Sequence, residues 1–303
     1  METVNNAMTA LGNVRELLRS NGIAPLSLAN WQLLLQGWKY FTLVAPIQLA
    51  IDWYPMGKTS AKSIFNVPGK PAWIMMELVS PLTLLYTIYT NPSRTGPLPK
   101  AHVWLTTLYC MHYFHRALLS PLRNPSIAPF NILLFFAGVA FNLANGSAIG
   151  AWLGGYGSAT EVPVWRLVIG SAMFMLGLWG NVYHEEVLRD LRRDTPKKSK
   201  KSSKEAQKTP IEERVHELEG RHYKIPHGGL FEYCWYPHYF SEWFEWTGYM
   251  IAGGGPFNFL PAALFVINEL ATMLPRALQG KRWYLKKFGE DVPKRKAVIP
   301  GVL

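Results

Sequence analysis

Two histidines, a tyrosine and an arginine crowd into Cys110-Met-His-Tyr-Phe-His-Arg116, inside an otherwise apolar run. His112 and His115 stand at i, i+3, a spacing that can serve a metal. Tyr113 can donate a hydrogen bond to a reacting oxygen, and Arg116 can hold an anionic group. A metal would need several clustered imidazoles. His102, His184, His216, His222, His227 and His238 are scattered without HxxxH or HxxHH spacing, so no metal site is expected. On the residues alone, a catalytic wall and a purely interfacial aromatic anchor both remain open.

The carboxylates and the other basic side chains narrow the chemistry. Glu77 sits in "PAWIMMELVSPLTLLY", about two turns into an apolar segment. An ionisable group there costs a few kcal/mol on insertion scales. It either meets the positive end of its own helix or is a carboxyl group kept protonated in an apolar cavity, able to donate a hydrogen bond. Asn181, Glu185, Arg189 and Arg192 recur at i, i+4, i+8 and i+11, one polar stripe along a helix. The stripe can close on itself as ion pairs or line a pocket. Glu242 and Glu245, in "PHYFSEWFEW", share a helix face among aromatics, and Arg276 and Tyr284 follow in "PRALQGKRWYLKKF". Gathered at one membrane boundary, these groups make a polar pocket with a basic rim. Such a pocket suits a phosphorylated, water-soluble cofactor. Neither GxGxxG after a strand pattern nor GxxxxGK[ST] is present, so helices and loops must bind any nucleotide.

The elements that position these groups follow from composition. Of 303 residues, 49% are hydrophobic and only 17% charged, well below the quarter usual in soluble domains. Apolar stretches suited to a bilayer run over 30–53, 72–90, 101–121, 130–152, 163–188, 237–255 and 257–277. Gly253-Gly254-Gly255-Pro256 reads as a tight turn between the last two. The expected fold is therefore all-α, a seven-transmembrane-helix bundle enclosing a ligand cavity, over residues 28–303. Residues 1–27 form an N-terminal segment without a cleavable signal peptide, and 12–20 suit an amphipathic surface helix. Lysines and arginines collect in the odd-numbered connections, above all in "RRDTPKKSKKSSKEAQK", and after Lys281. By the positive-inside rule those connections and the C-terminus are cytosolic. The net charge of +11 is thus a membrane-topology signal, and no nucleic-acid partner is expected. Within the basic connection 193–222, residues 196–209 read as a solvated linker and 210–221 as a short helix. Cys110 and Cys234 read as buried free thiols.

Four motifs occur in order: "HYFHR" at 112–116, "YKIPHGGLFEY" at 223–233, "EWFEW" at 242–246, and "RALQGKRWYLKKF" followed by "VPKRKAVIP" over 276–300. With these the chain resembles the steroid 5-alpha-reductase family, the 3-oxo-5-alpha-steroid 4-dehydrogenases, from about residue 70 onward. The resemblance implies a multi-pass endoplasmic-reticulum enzyme that uses NADPH to saturate the carbon 4–5 double bond of a 3-oxo-steroid. It assigns Glu77 and Tyr113 to the substrate's 3-oxo group. It assigns Asn181, Glu185, Arg192, Glu242, Arg276 and Tyr284 to NADPH, with Tyr223 and Gly228-Gly229 in the adjoining loop. Arg116, Arg189 and His238 complete the cofactor set expected here. The chain departs from the animal enzymes at Met76, Ala137, Glu185, His238 and Gly280, departures that bear on substrate more than on cofactor. Related readings are reduction of a polyprenol or of a long-chain 2-enoyl thioester, or sterol binding without catalysis.

Overall fold

The computed structural model describes residues 13, 16–51, 63–157, 162–193, 216–218, 221–289 and 292–303. Helices occupy each of the seven apolar stretches. The first stretch holds α1 (Leu28–Trp38), a 3-10 turn (Lys39–Leu43) and α2 (Val44–Ala50). Next come α3 (Gly69–Thr90) and α4 (Lys100–Tyr113), which runs through a π-helical turn (Phe114–Leu119) into α5 (Ser120–Arg123). Then follow α6 (Ile132–Ala151) with a closing π turn (Trp152–Tyr156), α7 (Val164–Arg193), α8 (Pro237–Ala252) and α9 (Leu260–Phe288). Local signals set their ends. The side chain of Ser27 caps α1 by accepting from Asn30 N, and Asn131 caps α6 through Leu133 N. Prolines stand in the first turn of α8 and α9, where the missing N–H costs nothing.

Three of these rods are long and apolar enough to cross a membrane: Gly69–Thr90, Ile132–Tyr156 and Val164–Arg193. The rest are interrupted by 3-10 or π turns, are short, or carry polar side chains such as Asn268, Glu269 and Arg276. Two departures from the sequence reading stand out. The last helix continues to Phe288, eleven residues past the expected end at 277 (288 − 277), so Tyr284 is presented by a helix rather than by a tail. The short helix expected over 210–221 is not formed where the chain is described. Strand β3 (His216–Leu218) pairs antiparallel with β4 (Arg221–Tyr223), leaving 210–215 and 219–220 outside the described residues. A two-residue pairing of β1 (Asn66–Val67) with β2 (Phe130–Asn131) ties the starts of α3 and α6 together. Only 16–20 of the expected N-terminal amphipathic helix is continuously described, and it is helical.

The core is aromatic. Trp31, Trp38, Tyr109, Tyr113, Phe174, Trp246, Tyr249 and Phe265 belong to one buried cluster spanning α1, α4, α7, α8 and α9. The tightest helix pair is α7 against α8, and small residues make it so. A Cβ at Gly170 would collide with the backbone of Gly248 and Ala252, and one at Gly177 with the backbone of Glu245. One turn beyond Gly177 the same stripe turns polar, at Asn181. The close approach therefore fixes the height of Glu242 and Glu245 opposite the polar stripe. Gly170→Val should wedge the two helices apart at a cost of about 1–3 kcal/mol. A fall in the melting temperature of the detergent-solubilised protein would register it, and an unchanged melt would refute this packing.

Between α8 and α9, Gly254 (φ 105°) and Gly255 (φ 92°) adopt left-handed backbone that side chains avoid, which makes the expected tight turn.

Candidate active site

Arg116 is the hub of the site. It lies in the π-helical turn that follows α4, and such wider turns re-aim the side chains they carry. Its Nε is 3.5 Å from Glu77 Oε1 on α3, and its Nη1 is 3.3 Å from Glu185 Oε1 on α7. The guanidinium also rests 4.9 Å over the Trp73 ring. Glu242 and Glu269 lie within its electrostatic range as well. One cation is thus set among four carboxyl groups contributed by four different helices.

Around the hub, pairs of helices are joined by polar contacts. Asn181 Nδ2 donates to Glu242 Oε2 and to the backbone oxygen of His238, both at 3.1 Å. His112 Nδ1 and Glu245 Oε1 meet at 2.7 Å, with side chains only 5% and 0% exposed. Tyr113, buried at the last residue of α4, points its hydroxyl at Asn142 Oδ1, 3.4 Å away. Asn142 in turn donates to the backbone oxygen of Met76, the neighbour of Glu77. The Tyr113 ring packs 4.8 Å from that of Tyr109, whose hydroxyl bonds Ser80 at 2.5 Å and accepts from Asn145 at 3.0 Å.

Toward the C-terminal ends of α7 and α9 the lining becomes basic and aromatic. Arg192, Tyr223 and Tyr284 lie in mutual electrostatic range, and Arg276 lies in range of Tyr236 and Glu269. Tyr284 stacks on Trp235, with centroids 4.6 Å apart and planes 19° from parallel. Two clefts, of about 710 and 570 Å³, open at the opposite helix ends. The larger is lined by Trp31, Trp152 and Leu264. Leu264 lies twelve residues before Arg276 (276 − 264), roughly 18 Å along a helix, so this cleft is separate from the basic end of the site. At Arg116 the polar side chains instead close directly on one another.

Comparison with known proteins decides the family. The family model described as 3-oxo-5-alpha-steroid 4-dehydrogenase matches residues 128–205 and 206–303, more than half the chain. The chain belongs to this family. Similar relatives include a steroid 5-alpha-reductase of Gossypium hirsutum, 33% identical over 76% of this chain and 80% of its own length. The 3-oxo-5-alpha-steroid 4-dehydrogenase 1 of Rattus norvegicus is 32% identical over 78% of this chain and 82% of its own length. An uncharacterized protein of Schizosaccharomyces pombe, C9.08c, is 37% identical over 81% and 90%. The named relatives are oxidoreductases that act on CH–CH groups, and the chain is accordingly a 3-oxo-5-alpha-steroid 4-dehydrogenase-like oxidoreductase.

In this member of the family, the residues singled out from sequence fall along one path through the protein. Glu77, Tyr113 and Arg116 stand at one end, Asn181, Glu185, Glu242 and His238 in the middle, and Arg192, Tyr223, Tyr284 and Arg276 at the other. Arg189 is placed differently. It is 1% exposed, and its guanidinium bonds Glu185, Glu186 and Ser120. It therefore braces the stripe from behind, its charge already matched by two carboxylates. Arg192, one turn on, reaches the same segment and donates to Asn124 Oδ1 at 2.9 Å.

Sequence reasoning did not single out Ser120, Asn142, Glu269 or Arg295, nor the pairing of His112 with Glu245. The two asparagines of α6, Asn142 and Asn145, are polar groups in an otherwise apolar span, and that was the available signal. At Gly280 the tip of the Tyr236 ring occupies the space a Cβ would need, so any side chain there must displace Tyr236.

Arg295 organises the loop before α8. It is 4% exposed, donates to the backbone oxygen of Pro226 at 2.6 Å, and sits 3.3 Å from Glu232. The chain around it is stitched to the same loop, Trp235 N donating to Lys296 O and Lys296 N to Tyr233 O. The Gly228 backbone N–H, together with Arg295 and His227, holds the Glu232 carboxyl below the usual carboxylate range. A depressed folded value stabilises the protein above the unfolded pKa and stops doing so as pH falls through the folded one. Hydrogen exchange across 226–236 should accordingly rise once pH drops below about 4. In Glu232→Gln it should be fast already at neutral pH; slow exchange in that variant would contradict the anchoring role.

Proposed function

We propose that the protein is an NADPH-dependent reductase of the carbon 4–5 double bond of a 3-oxo-4-ene steroid. On this reading it crosses the endoplasmic-reticulum membrane seven times, with its basic connections and C-terminus in the cytosol. The observation that carries the reading is Arg116 bridging Glu77 and Glu185. That single cation joins the helix assigned to the substrate with the helix assigned to the cofactor.

The donor set fits a phosphorylated dinucleotide. Arg192 and Arg276 match phosphate oxygens, and Tyr223 and Tyr284 offer hydroxyls and ring faces beside them. Asn181, His238 and Glu242 offer donors and acceptors for an amide and for sugar hydroxyls deeper in the path. When bound, NADPH supplies the hydride that saturates the beta carbon of the enone. The protein's part is to hold the ketone. The Tyr113 hydroxyl and the Glu77 carboxylic acid aim at the 3-oxo oxygen, where negative charge collects as the double bond is reduced. Their burial excludes the water that would weaken both contacts. Arg116 sets the orientation of the Glu77 carboxyl and takes up part of the charge.

The aromatic, membrane-embedded surroundings of Tyr113 suit a rigid apolar substrate. Membranes containing the protein, given NADPH and a panel of 3-oxo-4-ene steroids, polyprenols and 2-enoyl thioesters, should yield a product two mass units heavier from a steroid. Turnover of a polyprenol or thioester alone would keep the reductase and overturn the steroid. Failure to bind NADPH in detergent would leave a sterol-binding protein without chemistry.

A further inference from the structure

Saturating a carbon–carbon double bond requires a proton as well as a hydride, and neither Tyr113 nor Glu77 is free to give one while gripping the ketone oxygen. The alpha carbon that must be protonated lies two bonds from that oxygen. The acid has to stand beside Tyr113.

His112 occupies that position. Its ring centroid is 5.1 Å from that of Tyr113, in an edge-on arrangement, and 4.6 Å from that of Trp246. Its Nδ1 is engaged by Glu245 at 2.7 Å. Its Nε2 has no hydrogen-bond partner among the described residues, and it is not one of the polar atoms sealed in without a partner. Glu245 comes from the opposing helix α8 and is wholly buried, at the point where Gly177 lets α7 and α8 approach. A carboxyl group taken fully out of water in an aromatic core is costly unless a partner uses it. Among the described residues its one hydrogen-bond partner is an imidazole that packs against the substrate-gripping tyrosine, its Oε2 being buried without one. Charged or titratable groups around His112 are Glu77 on α3, Tyr113 on α4, His115 and Arg116 after α4, Glu185 on α7, and Glu242 and Glu245 on α8.

Resting on the proposed enone reduction, we propose that His112 is a further catalytic residue, protonating the alpha carbon of the substrate, with Glu245 as its positioning residue. The His112–Glu245 pair holds two protons, one on Nε2 and one shared at Nδ1. After hydride arrives at the beta carbon, the enolate alpha carbon takes the Nε2 proton. A C–H bond forms, the N–H bond breaks and its electron pair stays on nitrogen. The substrate becomes a neutral saturated ketone, the pair is left with one negative charge, and a proton from water restores it. Glu245 fixes the ring so that Nε2 faces the substrate and offsets the charge of the imidazolium form. The same pair would work in reverse on the product, removing and returning an alpha hydrogen with no cofactor present.

That reverse exchange is the test. The saturated 3-ketone of whichever 3-oxo-4-ene steroid is reduced best is incubated in D₂O with the purified protein and no NADPH. One deuterium should enter at carbon 4, stereospecifically, as read by mass and NMR. His112→Gln keeps a side chain able to bond Glu245 but cannot ferry the proton. It should lose the exchange and about 10²- to 10⁴-fold in reductive turnover. Its solvent isotope effect should rise while that from 4-deuterated NADPH falls. Glu245→Gln should share this pattern more weakly, and unaltered NADPH binding in both variants shows that they are folded. Exchange absent from the wild-type protein, or retained in His112→Gln, overturns the proposal and leaves enone reduction standing. Failure of the wild-type protein to reduce any enone overturns both.

Discussion

Tyr113→Phe is expected to lower reductive turnover by about 10²- to 10³-fold, the usual effect of deleting one donor to a developing oxyanion. NADPH affinity should stay close to the wild-type value. The reason is geometric. The Tyr113 hydroxyl faces Asn142 and the α3 backbone at Met76, away from the arginine and tyrosine side chains of the basic end. The phenyl ring would keep its packing against Tyr109 and Trp246, so the fold survives the change. Glu77→Gln should move turnover in the same direction, because an amide is a weaker donor than a carboxylic acid, while its oxygen can still accept from Arg116. Stopped assays with product identified by mass, beside a direct NADPH binding titration, separate the two effects. Wild-type turnover in either variant would remove the assignment of that residue, and a matching loss of NADPH binding would move it to the cofactor site.

Arg116→Met carries the second large effect, and it falls on both ligands and on stability. Removing the guanidinium leaves Glu77 and Glu185 facing each other's helices without a shared cation, and it strips the cover from Trp73. Arg116 is partly exposed and Glu185 keeps Arg189, so the loss should fall below the roughly 3–5 kcal/mol typical of a fully buried pair. The detergent-solubilised variant should melt earlier, bind NADPH poorly and turn over little. Arg116→Lys should recover part of the stability and little of the activity, since an ammonium cannot span two carboxylates as a planar fork does. A variant that melts like the wild-type protein would show that the hub is incidental to the fold.

The outlines of the fold were legible because its signals are local. Apolar stretches of bilayer length, the Gly253–Pro256 turn and the proline-led starts of α8 and α9 all mark elements within a few residues of their observed ends. The helix at 210–221 was misread because charged residues at helical spacing satisfy an amphipathic pattern whether or not a partner face exists. Where the chain is described, His216–Leu218 and Arg221–Tyr223 pair as strands instead. The extension of α9 to Phe288 was missed because basic residues mark a membrane boundary without ending a helix. Gly289, with φ 87°, ends it.

The site was legible residue by residue and opaque in its pairings. The i, i+4, i+8, i+11 stripe from Asn181 announces a polar helix face. Nothing in that spacing says that Arg189 turns back to Glu185, Glu186 and Ser120 while Asn181 reaches across to Glu242. Glu242 and Glu245 look alike in "EWFEW", yet one meets an asparagine of α7 and the other a histidine of α4. Such pairings depend on how helices cross. At α7 and α8 the crossing is set by Gly170, Gly177 and Gly248, whose importance comes from what their missing side chains permit. Buried amides such as Asn142 escape a search for charge, although they too are polar groups in an apolar span.

The central claim is that Tyr113 and Glu77 hold a ketone while its conjugated double bond takes up hydride. The most direct measurement is single-turnover reduction of a 3-oxo-4-ene steroid with 4-deuterated NADPH, followed by NMR of the product. The account predicts one deuterium at carbon 5 with the 3-oxo group intact. Deuterium at carbon 3, on a newly formed alcohol, would contradict it.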